Sequence, residues 1–402
     1  MSQPTKRLRQ GEFITLMAMV SATIAFSIDA MLPALPEIGA ELSPGDLNRA
    51  QLILTSFVLG MGLGTFFTGP LSDAFGRKPV MVGGAIVYIA AAALAWSSPS
   101  LEMMLFSRLI MGLGASGPRV VAMAMVRDLY SGSDMARILS FVMMVFSLVP
   151  ALAPTLGHYI ILGFGWRSIF IAFVVFSLIS TTWLWTRQPE TLARENRRPL
   201  SLSKMASATV EVFKIPTTRI SIVIQMLTFG TLFMSLSSTQ QLFDKTYGQG
   251  DVFHLWFGGI AIVASTASML NARIVGRLGM RAIIKATFMG QIILTLIMIA
   301  VTLLGGPYWL TFGVFVIWTI GIFMQAGLTI GNLNALAMEP VGHIAGLAAS
   351  IISALSTVGA VLLAAPVGLA LNGTPMPMAL GTLACVTLAL WLTNKIKRPG
   401  ET

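Results

Sequence analysis

Three ionisable side chains, Asp29, Arg108 and Arg119, lie well inside long apolar runs of this sequence. A charged group at such depth in a bilayer costs several kcal/mol, so residues of this kind are usually functional. Loss of water favours the neutral form of Asp29, whereas a guanidinium close by favours the carboxylate. An acid poised between these two effects could bind and release a proton, while an arginine stays charged throughout.

The predicted depth of two of these residues favours a pair. Asp29 lies about six residues and Arg108 about seven residues from the outer ends of their predicted spans, or about 10 Å below the surface at 1.5 Å per residue. We therefore predict that Asp29 is the proton-coupling acid and that Arg108 holds, releases or counterbalances it. The alternative is a static structural ion pair.

Arg119 directly follows Pro118, which should kink the helix and free a carbonyl group. Arg119 could face a cavity and bind an anionic or carbonyl-rich part of a ligand, or it could extend towards the headgroups. The other substrate-binding candidates are neutral: Gln225, Gln240, Trp318, Gln325 and Asn332. The alternative for each amide is an interhelical hydrogen bond, and for the tryptophan a packing role. With 25 Met, 23 Phe and 8 Trp, the sequence favours an adaptable apolar pocket.

Lipid is the solvent that suits this composition. Of the 402 residues, 55% are hydrophobic and only 10% are charged, against about 25% charged residues in a soluble domain. The net charge of +10 does not indicate nucleic-acid binding, because the basic residues form short clusters between apolar segments. The single cysteine, Cys385, excludes a disulfide within the chain, and three scattered histidines make no metal site. We expect no metal and no cofactor.

Apolar runs long enough to cross a membrane, which takes about 20 residues, recur along the chain. We predict twelve spans, at about 13–35, 47–69, 78–96, 101–125, 136–160, 165–186, 218–242, 253–272, 281–304, 308–331, 344–368 and 376–394. The first is too long for a signal peptide and is interpreted as a retained span. A polar cytoplasmic linker, residues 187–217, separates an N-terminal half (1–186) from a C-terminal half (218–402). The predicted fold is an all-α polytopic membrane protein with twelve transmembrane helices in two six-helix pseudo-repeats.

The distribution of basic residues predicts the orientation in the membrane. Placing both termini in the cytoplasm leaves only Arg49, Arg167 and Lys245 on the outer side, and most of the other Lys and Arg residues on the inner side. Positive charge favours the cytoplasmic side of a membrane. The expected location is therefore a bacterial inner membrane, crossed many times.

The loop after the second span resembles the signature loop of the major facilitator superfamily. It reads Gly69-Pro-Leu-Ser-Asp73-Ala-Phe-Gly76-Arg77-Lys78, with the glycines, the acid and the basic pair at the family spacing. A weaker copy, residues 272–281, follows the eighth span, as two parallel repeats would require. The resemblance implies that these five named residues form a gate loop that latches the two halves on the cytoplasmic side. For the two basic residues, the alternative is a plain topology signal.

Other segments are similar to the drug:proton antiporters of that superfamily. Arg108-Leu-Ile-Met-Gly112 resembles their arginine motif, and Asp29-Ala-Met-Leu-Pro-Ala-Leu-Pro-Glu37 resembles the signature of the bicyclomycin/chloramphenicol-resistance (Bcr/CflA) exporters. The fifth span departs from the antiporter pattern, since residues 149–157 contain prolines and one glycine instead of the full glycine-rich motif.

These residues and the resemblance predict a secondary transporter that exports small amphipathic molecules or drugs in exchange for protons by alternating access. The alternatives are a dedicated exporter or importer of a single metabolite, anionic if Arg119 faces the cavity, and a non-transporting membrane sensor. An enzyme is not expected, because the sequence shows no nucleophile–base pair, and it has no nucleotide-binding loop for ATP. The expected partners are a small-molecule substrate, protons and the lipid bilayer, without nucleic acid, and the expected state is a monomer.

Overall fold

The computed structural model describes residues 8–396, apart from the side chains at positions 133, 136, 143, 146 and 147. Helices account for 87% of the described residues, and no strand occurs among them. A helix satisfies its backbone hydrogen bonds within one segment, which is what apolar runs in lipid require. The helices are α1 (Gln10–Asp29), α2 (Leu35–Leu42), α3 (Leu52–Phe75), α4 (Arg77–Trp96), α5 (Leu101–Leu129), α6 (Gly132–Phe164), α7 (Ser168–Arg187), α8 (Leu202–Lys214), α9 (Pro216–Gln241), α10 (Phe253–Leu278), α11 (Met280–Leu304), α12 (Tyr308–Met338), α13 (Ala345–Leu369) and α14 (Met376–Thr393).

Ten segments of the described chain are long and apolar enough to cross a membrane. One of them, Tyr308–Leu369, is 62 residues long and contains both α12 and α13. Helix α6 contributes a shorter apolar stretch, Leu148–Phe164. The prediction of an all-α membrane protein that crosses the bilayer many times is therefore confirmed.

The helices pack into two compact units. The first unit holds the described residues up to Leu42 together with Ser56–Met205, and the second holds Ser43–Thr55 together with the described residues from Ala206 onwards. The polar link between the predicted halves is not a plain loop, because it contains a 3₁₀ turn, Arg194–Asn196, and the whole of helix α8.

Ion pairs fix both ends of the α1–α2 segment within the first unit. At the start of α1, Glu12 accepts hydrogen bonds of 2.9 and 3.2 Å from the guanidinium of Arg187 at the end of α7. At the end of α2, Glu41 accepts hydrogen bonds of 2.7 Å from the indole of Trp166 and of 2.7 Å from Arg167. These contacts hold α1 and α2 against α7 and the two residues before it.

Helix α5 crosses α3 and α4 closely because glycines lie at the crossings. A Cβ atom on Gly114 of α5 would lie 2.7 Å from the backbone nitrogen of Tyr88 in α4, and one on Gly60 of α3 would overlap the carbonyl of Leu109. Small residues let helix backbones approach in this way. The crossings therefore hold in place the stretch of α5 that contains Arg108.

Candidate functional site

Asp29 is the last residue of α1, at a break in the first membrane segment. The helix stops there and resumes as a 3₁₀ turn, Leu32–Ala34, followed by α2. Pro33 explains the break, because it has no N–H to donate to the carbonyl of Asp29 four residues earlier and its ring clashes with that carbonyl. Broken helices inside a membrane commonly form binding sites for ions or substrates.

The Asp29 side chain is 4% exposed and forms no hydrogen bond or ion pair with any described residue. Its position at a helix C-terminus adds to the cost of ionisation, since the partial negative charge of that end disfavours a carboxylate. A buried carboxyl group in this setting is suited to carrying a proton.

Arg108 binds a main-chain carbonyl of α1 and does not bind the carboxyl group of Asp29. The guanidinium is fully buried, its Nη2 donates a 3.0 Å hydrogen bond to the carbonyl oxygen of Ser27, and it lies 4.4 Å from the ring centre of Phe57 in α3. Carbonyls in the last turn of a helix lose their helical partners, so the break at Asp29 leaves acceptors for a buried cation. The predicted ion pair between Asp29 and Arg108 is thus not formed in this structure, although both residues contact the same end of α1.

Ser27 connects Arg108 to Tyr88 of α4, and sequence reasoning missed both Ser27 and Tyr88. The Ser27 hydroxyl donates to the carbonyl of Thr23 at 2.6 Å, so the Tyr88 hydroxyl, 2.5 Å away, is the donor to Ser27. A cavity of about 20 Å³, large enough for one water molecule, borders Tyr88 and is lined also by Thr23 and Pro118. The only sequence signal was a serine two positions before the buried acid.

Arg119 is half-buried in α5, directly after Pro118. The helix runs on across this proline from Leu101 to Leu129, so the bend expected there does not interrupt it. Its role as a substrate-binding residue stays a prediction.

Two of the five neutral candidates in the second unit form hydrogen bonds to neighbouring helices. Trp318 is fully buried and its indole donates a 3.0 Å hydrogen bond to Thr295 of α11. Asn332 donates to Asn271 of α10 at 2.7 Å and to the carbonyl of Leu328 in its own helix at 2.8 Å. These contacts join α12 to its neighbours, and a role of the two residues in substrate binding stays a prediction.

Gln225 and Gln325 differ from that pair because each has a buried polar atom without a partner in the described structure. Gln325 donates to the hydroxyl of Thr231 at 3.1 Å, and that hydroxyl gives its own proton to the carbonyl of Thr228, so the amide orientation is set and Oε1 of Gln325 is left unpaired. Gln225 accepts from Ser356 at 3.4 Å, and its Nε2 is unpaired. An unsatisfied buried polar group costs about 1–3 kcal/mol.

Gln240, the remaining amide candidate, is 4% exposed near the end of α9. Its place in α9 puts it in the same helix as Gln225, 15 residues further along. Its contact with substrate stays a prediction.

The predicted gate loop forms a charge network in the first unit. Arg77 is buried and donates to Asp73 at 2.5 Å, to Asp128 at the end of α5 at 3.0 Å, and to the hydroxyl of Ser72 at 2.7 Å. Gly69, at the start of the loop, accepts a 2.8 Å hydrogen bond from Ser72 through its carbonyl. One guanidinium therefore joins two carboxylates on different helices, a role for which the planar fork of arginine is suited.

Glu190 from the linker caps the helix that follows the gate loop, and sequence reasoning missed it. Its carboxylate accepts hydrogen bonds from the backbone N–H groups of Arg77 at 3.0 Å and Lys78 at 3.2 Å. A carboxylate at a helix N-terminus satisfies free N–H groups and complements the helix dipole. Gly76, just before α4, has φ +107°, and a Cβ there would meet the Glu190 carboxylate at 2.5 Å.

The sequence matches known transporters over most of its length. The profile of the family described as Major Facilitator Superfamily matches residues 16–364. The chain is 28% identical over 383 residues to a bicyclomycin resistance protein homolog of Haemophilus influenzae, with 94% of both chains covered. It is 25% identical over 396 residues to a chloramphenicol resistance protein of Pseudomonas aeruginosa, with 96% of this chain and 91% of the relative covered.

A solved structure shows the same fold at low identity. A D-xylose–proton symporter superposes with a TM-score of 0.77 at 14% sequence identity, covering 95% of this chain and 97% of that chain. The relatives named for bicyclomycin and chloramphenicol resistance confirm the predicted resemblance to exporters of that type. The chain belongs to the major facilitator superfamily, whose members are transporters and not enzymes.

Proposed function

We propose that this protein exports small amphipathic drugs across a bacterial inner membrane in exchange for protons, and that Asp29 carries the proton. The observation that supports this most directly is the buried carboxyl group at the break between α1 and α2, two residues beyond the carbonyl that holds Arg108. A static ion pair would instead place the guanidinium on the carboxylate.

In the proposed cycle, Arg108 moves between two acceptors. When Asp29 is protonated, the guanidinium stays on the Ser27 carbonyl, as observed. When Asp29 loses its proton, the new carboxylate is a stronger acceptor. It lies about 3 Å along the helix from Ser27 and about 160° around it, so the guanidinium would reach it by a rotation of the end of α1. The switch would pull on the broken end of α1. Each proton moving inwards contributes about 2.3 kcal/mol per 100 mV of membrane potential.

The proposed drug-binding groups are Gln225 and Gln325, two amides of the second unit that each have one unpaired polar atom. Gln225 offers a free donor and Gln325 a free acceptor, so together they favour a ligand that carries both kinds of neutral polar group. Names of two relatives refer to bicyclomycin and chloramphenicol resistance, which supports drugs as the substrate class. A contact of Arg119 with an anionic part of the substrate remains part of the proposal.

The proposed topology has twelve spans in two halves of six, divided at residues 187–217, with both termini in the cytoplasm. The 62 residues of Tyr308–Leu369 would make about 90 Å of helix, three times the thickness of the hydrocarbon core, so we count α12 and α13 as separate spans. With 33 residues, α6 is long enough to be another. The distribution of basic residues supports a cytoplasmic position for the gate loop. We propose that the protein acts as a monomer.

The test is accumulation of neutral, cationic and anionic antibiotics in cells that lack other exporters, with and without a protonophore. The wild type should lower the accumulation of at least one compound, and Asp29→Asn and the protonophore should each abolish that effect. The control is Glu37→Gln, which changes an exposed acid of α2 eight residues away and should export normally. Normal, protonophore-sensitive export by Asp29→Asn would contradict the role of Asp29. If no compound responds, the dedicated metabolite transporter becomes the better proposal, and anionic metabolites would be tested first.

A further inference from the structure

Helix α8 has an apolar stripe that the described part of the chain leaves uncovered. Leu202 is 68% exposed, Val210 53% and Phe213 39%, and Ala206 is exposed as well. On a helix of 3.6 residues per turn, these four side chains lie within about 80° of one another. Thirteen residues of helix therefore present one continuous apolar strip to the surroundings.

The other sides of α8 are accounted for. Met205, Ala208 and Val212 are buried and face the protein. Glu211 accepts a 2.6 Å hydrogen bond from Nε2 of His343 in the turn that follows α12. The exposed polar residues Ser203 and Ser207 lie on the side away from the buried stripe. A helix with one face on protein, one polar face and one uncovered apolar face is typical of the membrane interface.

Connectivity places α8 at the bilayer surface. Only Ile215 separates its last residue, Lys214, from Pro216, the first residue of the membrane-spanning helix α9. One extended residue spans at most about 3.6 Å, so the end of α8 lies at the level where α9 enters the membrane.

The charge of the linker identifies the headgroups that suit this surface. Residues 187–219 contain seven Lys or Arg and three Asp or Glu. Lys204 and Lys214 of α8 are exposed, as are Arg194 and Arg198 in the turn before it. Basic residues close to a bilayer are attracted to anionic lipids.

We propose that α8 is an interfacial anchor, with its stripe of Leu202, Ala206, Val210 and Phe213 in the acyl-chain boundary and its lysines on anionic lipid headgroups. The occupant of the uncovered face is thus the bilayer itself. Anchoring would hold the linker between the two units at a fixed depth. This surface is separate from the transport site, so the inference does not depend on the direction of transport or on its driving ion.

The test uses full-length protein in vesicles and a spin label at single cysteines. Cys385, the only native cysteine and a buried residue of α14, is first changed to alanine. Labels at Val210 and Ser207 then compare the apolar and polar faces of the same helix. The ratio of collisions with oxygen to collisions with a water-soluble nickel chelate should be severalfold higher at 210 than at 207. A second pair, Ala206 against Ser203, repeats the comparison if one variant does not fold.

Equal ratios at both positions would overturn the proposal, as would a label at 210 that neither reagent reaches, since a protein surface would then cover the stripe. The anionic part is tested by Lys204→Gln with Lys214→Gln. In phosphatidylglycerol-containing vesicles these changes should move the label at 210 towards water, and in pure phosphatidylcholine they should have no effect. If the two lysine changes had the same effect on the depth of the label at 210 with and without phosphatidylglycerol, the proposed role of the lysines would be overturned.

Discussion

Replacing Gly76 by alanine should destabilise the first unit through two separate effects. Gly76 has φ +107° and ψ 157°, a conformation that is essentially confined to glycine, and this strain costs about 1–3 kcal/mol in another residue. The new Cβ would also lie 2.5 Å from Oε2 of Glu190. Moving that carboxylate off the start of α4 removes a helix cap, which costs about 1–2 kcal/mol more. We expect the free energy of unfolding to fall by about 2–5 kcal/mol in total.

Gly165 provides a matched control in the same unit. It has φ +75° and ψ 166°, in the same glycine region, but a Cβ there would meet no atom within 4 Å. Gly165→Ala should therefore show the strain alone. A difference of about 1–2 kcal/mol between the two variants corresponds to about 2–8 °C in the unfolding temperature of a unit of this size. Intrinsic tryptophan fluorescence of purified protein during heating measures it.

A double variant separates the clash from the strain. With Glu190→Ala already present, Gly76→Ala should cost less than it does in the wild type, because the carboxylate that it displaces is gone. The reasoning would be refuted if Gly76→Ala and Gly165→Ala lowered the unfolding temperature equally, or if Glu190→Ala left the cost of Gly76→Ala unchanged.

Three further substitutions follow from single contacts. Trp318→Phe removes the indole N–H that donates to Thr295 and leaves part of the buried indole's space unfilled, so thermal unfolding should start at least about 2–4 °C lower. An unchanged unfolding temperature would contradict the packing role. Arg77→Lys cannot bind Asp73 and Asp128 with one planar fork, and should lower both the unfolding temperature and the rate of export in the accumulation assay; full activity would argue against the network. Gln325→Met removes an unpaired acceptor together with one hydrogen bond, so stability should change little while drug affinity falls severalfold, and a parallel loss of stability would indicate a packing residue instead.

Apolar run length was enough to predict an all-α protein that crosses the membrane many times, but it did not predict where the first segment breaks. The predicted span 13–35 passes through Asp29, whereas α1 ends there. The signal was in the sequence, since a proline removes the hydrogen bond to the carbonyl four residues earlier. Helix α8 was also missed, because its 13 residues are too short and too polar to register as a span.

Residue counting predicted that Asp29 and Arg108 lie close together, but it did not predict which group of α1 Arg108 binds. Counting residues from a helix end gives the level of Asp29 and Arg108, and both do reach the same end of α1. It does not give the rotation of the helix, and Ser27 and Asp29 point about 160° apart on an ideal helix. The face of α1 that meets α4 and α5 carries Ser27, so Arg108 binds the Ser27 carbonyl.

Contacts between residues far apart in the sequence could not be predicted either. Asp73 and Arg77 were identified because they stand at the family spacing within one ten-residue loop. Glu190, by contrast, lies 113 residues beyond Arg77 and is embedded in a linker with several charges. No local spacing distinguishes it from Glu195, which is exposed.

The residues of the proposed mechanism lie in different units, and the mechanism assigns them different tasks. Asp29 and Arg108 belong to the first unit, whereas the unpaired amides Gln225 and Gln325 belong to the second. A neutral amide cannot carry a proton at physiological pH, and an unpaired amide can bind a drug whether or not Asp29 is charged. Asp29→Asn should therefore retain drug binding by purified protein while it loses proton-driven export. Gln325→Met should do the reverse at saturating drug, with weaker binding but export that still stops when the proton gradient is removed. If Asn at position 29 abolished drug binding as well, the two tasks would share one site and the division would fail.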